Sequence, residues 1–494
     1  MRKIREKSEE PVIDKVNRQS KKSKNNNKKK NANIFKVVYI FIGLFTLMAG
    51  RFIYFMAVES PSQINSSYNK RQDLLAEKYV RGKIMASDGT VLAKTVTDSA
   101  GKETRNYPFD QLFSHVVGSV GRGKTGLELA ENFTMLTSHT NVVSQAVTQM
   151  QGDKILADDI VTTLNVGLQK VAYEALGNRK GAVVAIEPST GRILAMVSKP
   201  SYDPNTIAMN WDSLVADESG NSTLLNRATQ GLYAPGSTFK IVTLLEYIKE
   251  HSKDYDKYQY ECKGSAMFGD RRISCYNNHV HGVIDLKGSL AHSCNDSFAH
   301  IGTLLNIKSF GKTAEKLMFN KSIPLSIPYK KSSFSLSSKN TENEIAQTAM
   351  GQGKTQITPL QSTLISCAIA NGGNMMTPYL VEHVQTSTGH VVRSTREKVL
   401  AKSMTSEEAA IVKDYMTEVV NTGTGTALKN SKYQVAGKTG SAEYDSTGAS
   451  HAWFSGFAPA DNPKIALSVI VESSGTGSEY AVPIAKKMFE SYLN

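Results

Sequence analysis

The chain has 494 residues, 40% of them hydrophobic and 21% charged, which is enough for two domains and ordinary for a globular protein. Its formal net charge of +13 would suit a nucleic-acid ligand, but much of the excess lies near the N-terminus and no basic face interleaved with aromatic residues is present. A nucleic-acid ligand is therefore not expected. The four cysteines include no C-x-x-C pair, so a structural zinc ion is not expected either.

The first segment of the chain predicts a membrane anchor preceded by a basic tail. Residues 1–33 are polar and rich in Lys, Asn and Ser, which predicts disorder. Residues 34–58 are mostly apolar, and their length suits one membrane span. A cleaved signal peptide or a buried core helix is the alternative. The positive charge before the span predicts a cytoplasmic N-terminus, with the rest of the chain outside the bacterial cell membrane.

Residues 59–159 predict a non-catalytic region, which we call the pedestal. The stretch 81–93 has the pattern of a strand, a turn at Asp88 and Gly89, and a second strand. No nucleophile or cluster of metal ligands stands out in this region. We therefore interpret the pedestal as a spacer and an interaction platform.

Residues 160–494 predict a second domain of mixed α and β structure. Its predicted elements are a helix at 168–176, a hairpin at 181–198, strands at 435–440, 452–457 and 464–472, and a closing helix at 481–492. Because these strands come from both ends of the region, their pairing must be long-range.

Ser237 and Lys240 form an S-x-x-K motif in this domain. Pro235 and Gly236 precede an apolar run with helical spacing, which places Ser237 at a helix N-terminus. Residues three apart share one helix face, so the lysine could act as the base that a serine nucleophile needs if burial lowers its pKa. A lone S-x-x-K is weak evidence, and the same pattern at 67–70 and 309–312 is given no chemical role.

Two further motifs follow in order. Ser293, Cys294 and Asn295 lead into an apolar helical pattern, and the K-T-G motif at 438–440 ends a strand-like run. S-x-x-K with S-x-N and K-T-G is the combination found in penicillin-binding proteins and class A β-lactamases. The chain resembles a class B penicillin-binding protein, a membrane-anchored D,D-transpeptidase of peptidoglycan synthesis. The segments that extend the resemblance are 181–205, 226–228, 350–353, 358–361 and 451–459.

The resemblance implies an α/β (α+β) fold, the penicillin-binding transpeptidase fold. This fold has an antiparallel five-stranded sheet with helices over both faces and a helical subdomain. An N-terminal β-rich pedestal and one transmembrane helix complete the implied architecture.

The resemblance also implies roles for named residues. Ser237 attacks the carbonyl between the two D-alanines of a stem peptide, and Lys240 takes its proton. Ser293 relays a proton to the leaving D-alanine, while Asn295 orients Lys240 and the substrate. The K-T-G motif binds the terminal carboxylate through Lys438 and Thr439, and Gly440 lets a substrate backbone approach closely. The backbone N–H groups of Ser237 and Ser441 form the oxyanion hole; the family usually has Thr where this chain has Ser441.

The implied partners are peptidoglycan stem peptides, β-lactam antibiotics and a polytopic glycosyltransferase of the shape, elongation, division and sporulation (SEDS) type. No cofactor is expected. The rival functions are a D,D-carboxypeptidase, a membrane-bound β-lactamase, a β-lactam sensor and a non-catalytic cell-wall scaffold.

The cysteines and histidines allow further interpretations. A disulfide between Cys262 and Cys275 is one hypothesis, because they flank a turn-like segment and the domain should lie outside the membrane. Two free thiols are nearly as well supported. We interpret the histidines at 279 and 281 as part of a turn rather than as metal ligands, and Cys294 as a small buried side chain. Glu443 is interpreted as a solvated strand-end carboxylate.

Overall fold

The N-terminal part of the chain is one long helix. The structure, a computed structural model, describes residues 12–56, 71–217, 220–443 and 450–494. The helix spans Val12–Tyr54, and its segment Ile34–Tyr54 has a mean hydropathy of 1.8 and the length of a membrane span. The predicted disorder of residues 1–33 is therefore wrong for 12–33, which continue the helix; residues 1–11 lie outside the described residues. Extending a helix that is already nucleated requires little free energy per added residue, and the Lys and Gln residues of this segment are good helix formers.

The pedestal is built around a six-stranded sheet. Its strands, in spatial order, are Val391–Ser394, Val381–Gln385, Asp159–Thr162, Ile84–Met85, Val91–Thr97 and Glu103–Asn106. The predicted strand–turn–strand unit at 81–93 is present, since Ile84 pairs antiparallel with Ala93. Two strands of this sheet come from residues 381–394, which the sequence assigned to the second domain. The pedestal therefore does not consist of residues 59–159 alone.

A buried ion cluster holds the pedestal together. Glu128 is fully buried and accepts hydrogen bonds from Arg81 at 2.7 Å and from Arg105 at 2.7 Å. Burial alone would raise the pKa of Glu128, but the two guanidinium groups hold this pKa below its ordinary value. Arg81, Arg105 and Glu128 lie on three separate segments. The cluster therefore joins the segment before the strand Ile84–Met85 and the strand Glu103–Asn106 to the helix Gly126–Ala130.

Glu128→Ala is expected to lower the free energy of unfolding by about 3 to 5 kcal/mol, because it leaves two largely buried guanidinium groups without a counter-charge. Urea denaturation of the purified protein measures this change. Glu174→Ala is the matched control, since the Glu174–Lys170 pair is 63% and 66% exposed and should contribute less than about 1 kcal/mol. Equal losses of stability in the two variants would contradict this account of the cluster.

The second domain is organised around an antiparallel five-stranded sheet, which we call the central sheet. Its strands, in spatial order, are Ala436–Glu443, Ser450–Ala458, Ile465–Val471, Gly181–Ile186 and Ile193–Lys199. Along Gly181–Ile186 every residue is buried, because helices cover both faces. Val183 packs with the helices Val166–Leu176 and Gly477–Leu493, while Val184 lies in the opposite core with Pro359–Ala370. The predicted central sheet and its long-range pairing are confirmed.

A helical subdomain lies beside the central sheet. Its helices are Lys240–Glu250, Leu286–Ala291, Asn295–Leu304, Ile307–Lys316, Glu342–Ala349 and Ser406–Asn421. Two antiparallel strand pairs accompany them, Gln259–Cys262 with Gly282–Asp285 and the hairpin Ser265–Phe268 with Arg271–Ser274.

The remaining elements are short. The helices are Arg71–Lys78, Ser114–Val117, Val142–Met150, Ile207–Val215 and Arg227–Gln230. The strands are Tyr79–Val80, Ile155–Leu156, Asn374–Met376 and Val399–Lys402.

The predicted disulfide between Cys262 and Cys275 is not formed. Both thiols are free, and their sulfur atoms lie 3.7 Å apart. A disulfide would bring the sulfurs to about 2.05 Å. The alternative, two free thiols, describes the structure.

Candidate active site

Ser237 lies in a tight turn immediately before a helix. Residues Gly236–Phe239 form a 3₁₀ turn, and the α-helix begins at Lys240. Gly236 has a φ of +53°, and a Cβ at this position would lie 2.7 Å from the carbonyl oxygen of Ser441. Glycine is therefore required here for two reasons, the positive φ and the close approach of the strand. The predicted helix start is present, with the 3₁₀ turn as its first turn.

The Lys240 side chain is fully buried and reaches the S-x-N motif. Its Nζ donates to the carbonyl oxygen of Ser293 at 2.7 Å and to Asn295 Oδ1 at 2.7 Å, and it lies 3.3 Å from Ser293 Oγ. Asn295 Nδ2 in turn donates to the carbonyl of Ser274 at 2.9 Å, which turns the amide oxygen toward the lysine. The first two motifs therefore meet at Lys240, although they are more than fifty residues apart.

Lys438 brings the third motif to the same serine. Its side chain is fully buried on the first strand of the central sheet, and its Nζ donates to Ser293 Oγ at 2.9 Å and to the carbonyl of Thr439 at 2.9 Å. Ser293 has a φ of +58°, which is uncommon for a residue with a side chain. The Ser293 hydroxyl thus lies between the two lysine ammonium groups.

Burial sets the electrostatics of the two lysines. It lowers the pKa of Lys240 to about 8, against an opposing effect of the nearby Cys294 and Cys275 sulfurs. Burial, together with the positive charge of Lys240, also lowers the pKa of Lys438 well below its ordinary value. A lysine with a pKa near neutrality can accept a proton, which an ordinary surface lysine cannot do at pH 7.

The end of the first strand of the central sheet faces the Ser237 turn. The Ser441 carbonyl points toward Gly236, and in an antiparallel strand the N–H of a residue points to the same side as its carbonyl. A Cβ at Gly440 would lie 3.1 Å from Thr238 Cγ2, so this glycine allows the strand to pack against the turn. The strand and the turn together place the Ser237 and Ser441 backbones side by side.

Two side-chain contacts were missed from the sequence, of which the first involves the K-T-G motif. Thr424 Oγ1 lies 2.5 Å from Thr439 Oγ1, and the repeated T-G-T-G at 422–425 was the local signal for it. Glu472 accepts hydrogen bonds from Arg227 Nε and from Tyr233 OH, both at 2.7 Å. Arg227 and Glu472 are 245 positions apart, and no local pattern connects them.

Two family models match the chain. The model for the penicillin-binding protein transpeptidase domain covers residues 181–490, and the model for the dimerisation domain of penicillin-binding protein A covers 81–158. The chain belongs to the penicillin-binding protein transpeptidase family. This confirms the family predicted from the three motifs. Most of the pedestal of this penicillin-binding protein therefore matches the model of a dimerisation domain.

Three similar proteins each cover between 84% and 86% of this penicillin-binding protein. It is 30% identical over 454 residues to the peptidoglycan D,D-transpeptidase PbpA of Mycolicibacterium smegmatis, covering 86% of this chain and 91% of the relative. A solved D,D-transpeptidase domain from Eggerthella lenta is 31% identical, with a TM-score of 0.76 and coverage of 84% and 98%. Penicillin-binding protein A from Mycobacterium tuberculosis, solved as an imipenem acyl-enzyme complex, is 28% identical, with a TM-score of 0.78 and coverage of 85% and 100%.

Proposed function

We propose that this penicillin-binding protein is a serine-type D,D-transpeptidase, which cross-links peptidoglycan stem peptides through an acyl-enzyme on Ser237 and is acylated there by β-lactams. The observation that carries the proposal is the chain of hydrogen bonds from Lys240 through Ser293 to Lys438, with Lys240 at the start of the helix that follows the Ser237 turn. The relatives support it, since one is named a peptidoglycan D,D-transpeptidase and another was solved as an acyl-enzyme with imipenem.

In the acylation step, Ser237 Oγ attacks the carbonyl carbon between the two D-alanines, and its proton passes to the neutral amine of Lys240. With a pKa of about 8, roughly a tenth of Lys240 is neutral at pH 7, enough for a general base. The developing oxyanion accepts hydrogen bonds from the backbone N–H groups of Ser237 and Ser441. Donors preorganised in this way are worth about 3 to 4 kcal/mol each.

The tetrahedral intermediate then collapses, and the C–N bond to the terminal D-alanine breaks. The leaving amine takes a proton from Ser293 Oγ, which is reprotonated through its contacts with the two lysines. Lys438 and Thr439 hold the terminal carboxylate by charge-assisted hydrogen bonds. An amine of a second stem peptide attacks the ester on Ser237 and releases the cross-linked product, with the same groups running the proton transfers in reverse.

The N-terminal helix would anchor the enzyme in the membrane with its N-terminus in the cytoplasm. The length and hydropathy of Ile34–Tyr54 support the anchor, and the excess of Lys and Arg before it supports the orientation. The pedestal would then contact a polytopic SEDS-type glycosyltransferase that supplies glycan strands. Tethering both proteins to one membrane raises the effective concentration of donor and acceptor peptides.

Reconstitution tests the proposed reaction. In vesicles containing lipid II and a separate polymerase, the full-length protein is expected to produce cross-linked muropeptides, measured by mass spectrometry after muramidase digestion. The Ser237→Ala variant in the same vesicles is the control and should give linear glycan only.

The other outcomes distinguish the rival functions. Free D-alanine without cross-links would indicate a carboxypeptidase, and rapid hydrolysis of added penicillin would indicate a β-lactamase. Glycan polymer formed without the polymerase would contradict the expected dependence on a separate glycosyltransferase.

A further inference from the structure

Three cysteines and one histidine meet directly behind the S-x-N motif. Cys262, Cys275 and Cys294 are buried, and His281 is partly buried. One ligand atom from each residue lies within 4.8 Å of all the others. Sequence analysis did not predict this cluster: its members are separated by 12, 5 and 12 residues rather than by the short C-x-x-C spacing, and His281 was interpreted as part of a turn.

The spacing of these atoms has the dimensions of a metal site. The Cys275 sulfur lies 3.7 Å from the Cys262 sulfur and 3.7 Å from the Cys294 sulfur, and His281 Nδ1 lies 3.4 Å from the Cys262 sulfur. Four ligands around a tetrahedral zinc ion, with Zn–S distances of about 2.3 Å and Zn–N distances of about 2.0 Å, are separated by about 3.5 to 3.8 Å. These three separations match those edges to within about 0.1 Å, and the remaining pairs of ligand atoms lie within 4.8 Å.

Backbone groups around the cysteines also suit thiolates. The Gly264 N–H donates to the Cys262 sulfur at 3.4 Å, and the Ser297 N–H donates to the Cys294 sulfur at 3.4 Å. Cys294 caps the N-terminus of the helix Asn295–Leu304, where the helix dipole favours negative charge. Hydrogen bonds of this kind orient and stabilise metal ligands from outside the coordination sphere.

We propose that Cys262, Cys275, His281 and Cys294 bind one zinc ion. Three thiolates and one neutral imidazole in tetrahedral arrangement select zinc over magnesium, calcium or manganese, which prefer oxygen ligands. All four positions are filled by protein, which is the pattern of a structural rather than a catalytic zinc site. On binding, the three thiols give up their protons to solvent and three Zn–S bonds and one Zn–N bond form.

The position of the ion gives it a role in the active site. Cys294 lies between Ser293 and Asn295, so its bond to zinc would fix the backbone that carries both residues. Asn295 Nδ2 donates to the carbonyl of Ser274, the residue that precedes the ligand Cys275. The zinc would therefore hold both ends of the hydrogen bond that aims Asn295 at Lys240. This positioning role rests on the proposed function, whereas the binding of zinc does not.

Metal analysis of the full-length protein in detergent tests the site directly. Elemental analysis is expected to find about one zinc per chain, and substitution by cobalt should give the visible d–d spectrum of a tetrahedral thiolate site. Cys262→Ser and His281→Gln should lower the zinc content to less than about a tenth per chain. The matched controls are Cys367→Ser, a buried free cysteine outside the cluster, and His279→Gln, an exposed histidine next to it; both should keep the zinc.

Several outcomes would overturn the proposal. These are wild-type protein without zinc, a disulfide between Cys262 and Cys275, iron in place of zinc, and full zinc content in the ligand variants. If the ligand variants fail to fold, the cobalt spectrum of the wild-type protein still decides the matter.

Penicillin acylation measured on the same samples separates the two proposals. Removal of zinc with a chelator should slow acylation, and added zinc should restore it. Zinc present with acylation absent would contradict the proposed function while leaving the metal site intact. Acylation unchanged after removal of the zinc would contradict the positioning role.

Discussion

Ser237→Ala is expected to abolish covalent labelling of the protein by penicillin. The β-lactam amide resembles the bond between the two D-alanines, and Ser237 Oγ is the atom to which the opened ring would attach. Alanine lacks this atom, and the Ser237 hydroxyl makes no hydrogen bond within the described part of the chain, so the fold should survive the change. Intact-protein mass spectrometry after incubation with penicillin measures the adduct.

Ser309→Ala is the matched control for this experiment. Ser309 and Lys312 repeat the S-x-x-K spacing, but they lie on the helix Ile307–Lys316, where the Ser309 backbone N–H is bonded to the Asn306 side chain. Labelling of the control should equal that of the parent. An adduct that survives Ser237→Ala, or that maps to Ser309, would remove the basis for the proposed nucleophile.

Lys240→Ala is expected to slow penicillin acylation by about 10² to 10⁴-fold, the usual contribution of a general base. Lys240 lies at the start of the helix that follows the Ser237 turn, and burial has already lowered the pKa of its amine to about 8. Lys240→Arg should be nearly as slow, because a guanidinium keeps the positive charge but stays protonated at any usable pH. Acylation rates measured with a fluorescent penicillin test both variants.

The control is Lys249→Ala on the same helix, whose ammonium bonds to Thr313 away from the three motifs. Its acylation rate should match that of the parent. Thermal unfolding of each variant distinguishes slow chemistry from loss of folded protein, since Lys240→Ala leaves the Asn295 amide oxygen without its donor. If Lys240→Arg acylates as fast as the parent, Lys240 contributes charge and another group takes the proton.

The sequence by itself determined the local parts of this protein. Pro235 and Gly236 before an apolar helical run predicted the turn that carries Ser237, and the continuous apolar stretch predicted the helix Ile34–Tyr54. The apolar runs within 181–198 predicted a hairpin, which forms the strands Gly181–Ile186 and Ile193–Lys199 of the central sheet. Such features depend on residues within a few positions of one another. Helix and strand geometry each impose a characteristic spacing of apolar residues, and this spacing can be recognised in a single sequence.

Only the tertiary structure decided which distant residues meet. The strands at 381–394 join the pedestal sheet, Glu472 meets Arg227 and Tyr233, and the four members of the cysteine–histidine cluster converge behind Ser293. Each of these contacts closes a loop between segments that share no periodic pattern, so no local preference specifies them. Their formation depends on how the helices cover the sheet and bury it, which is a property of the whole domain.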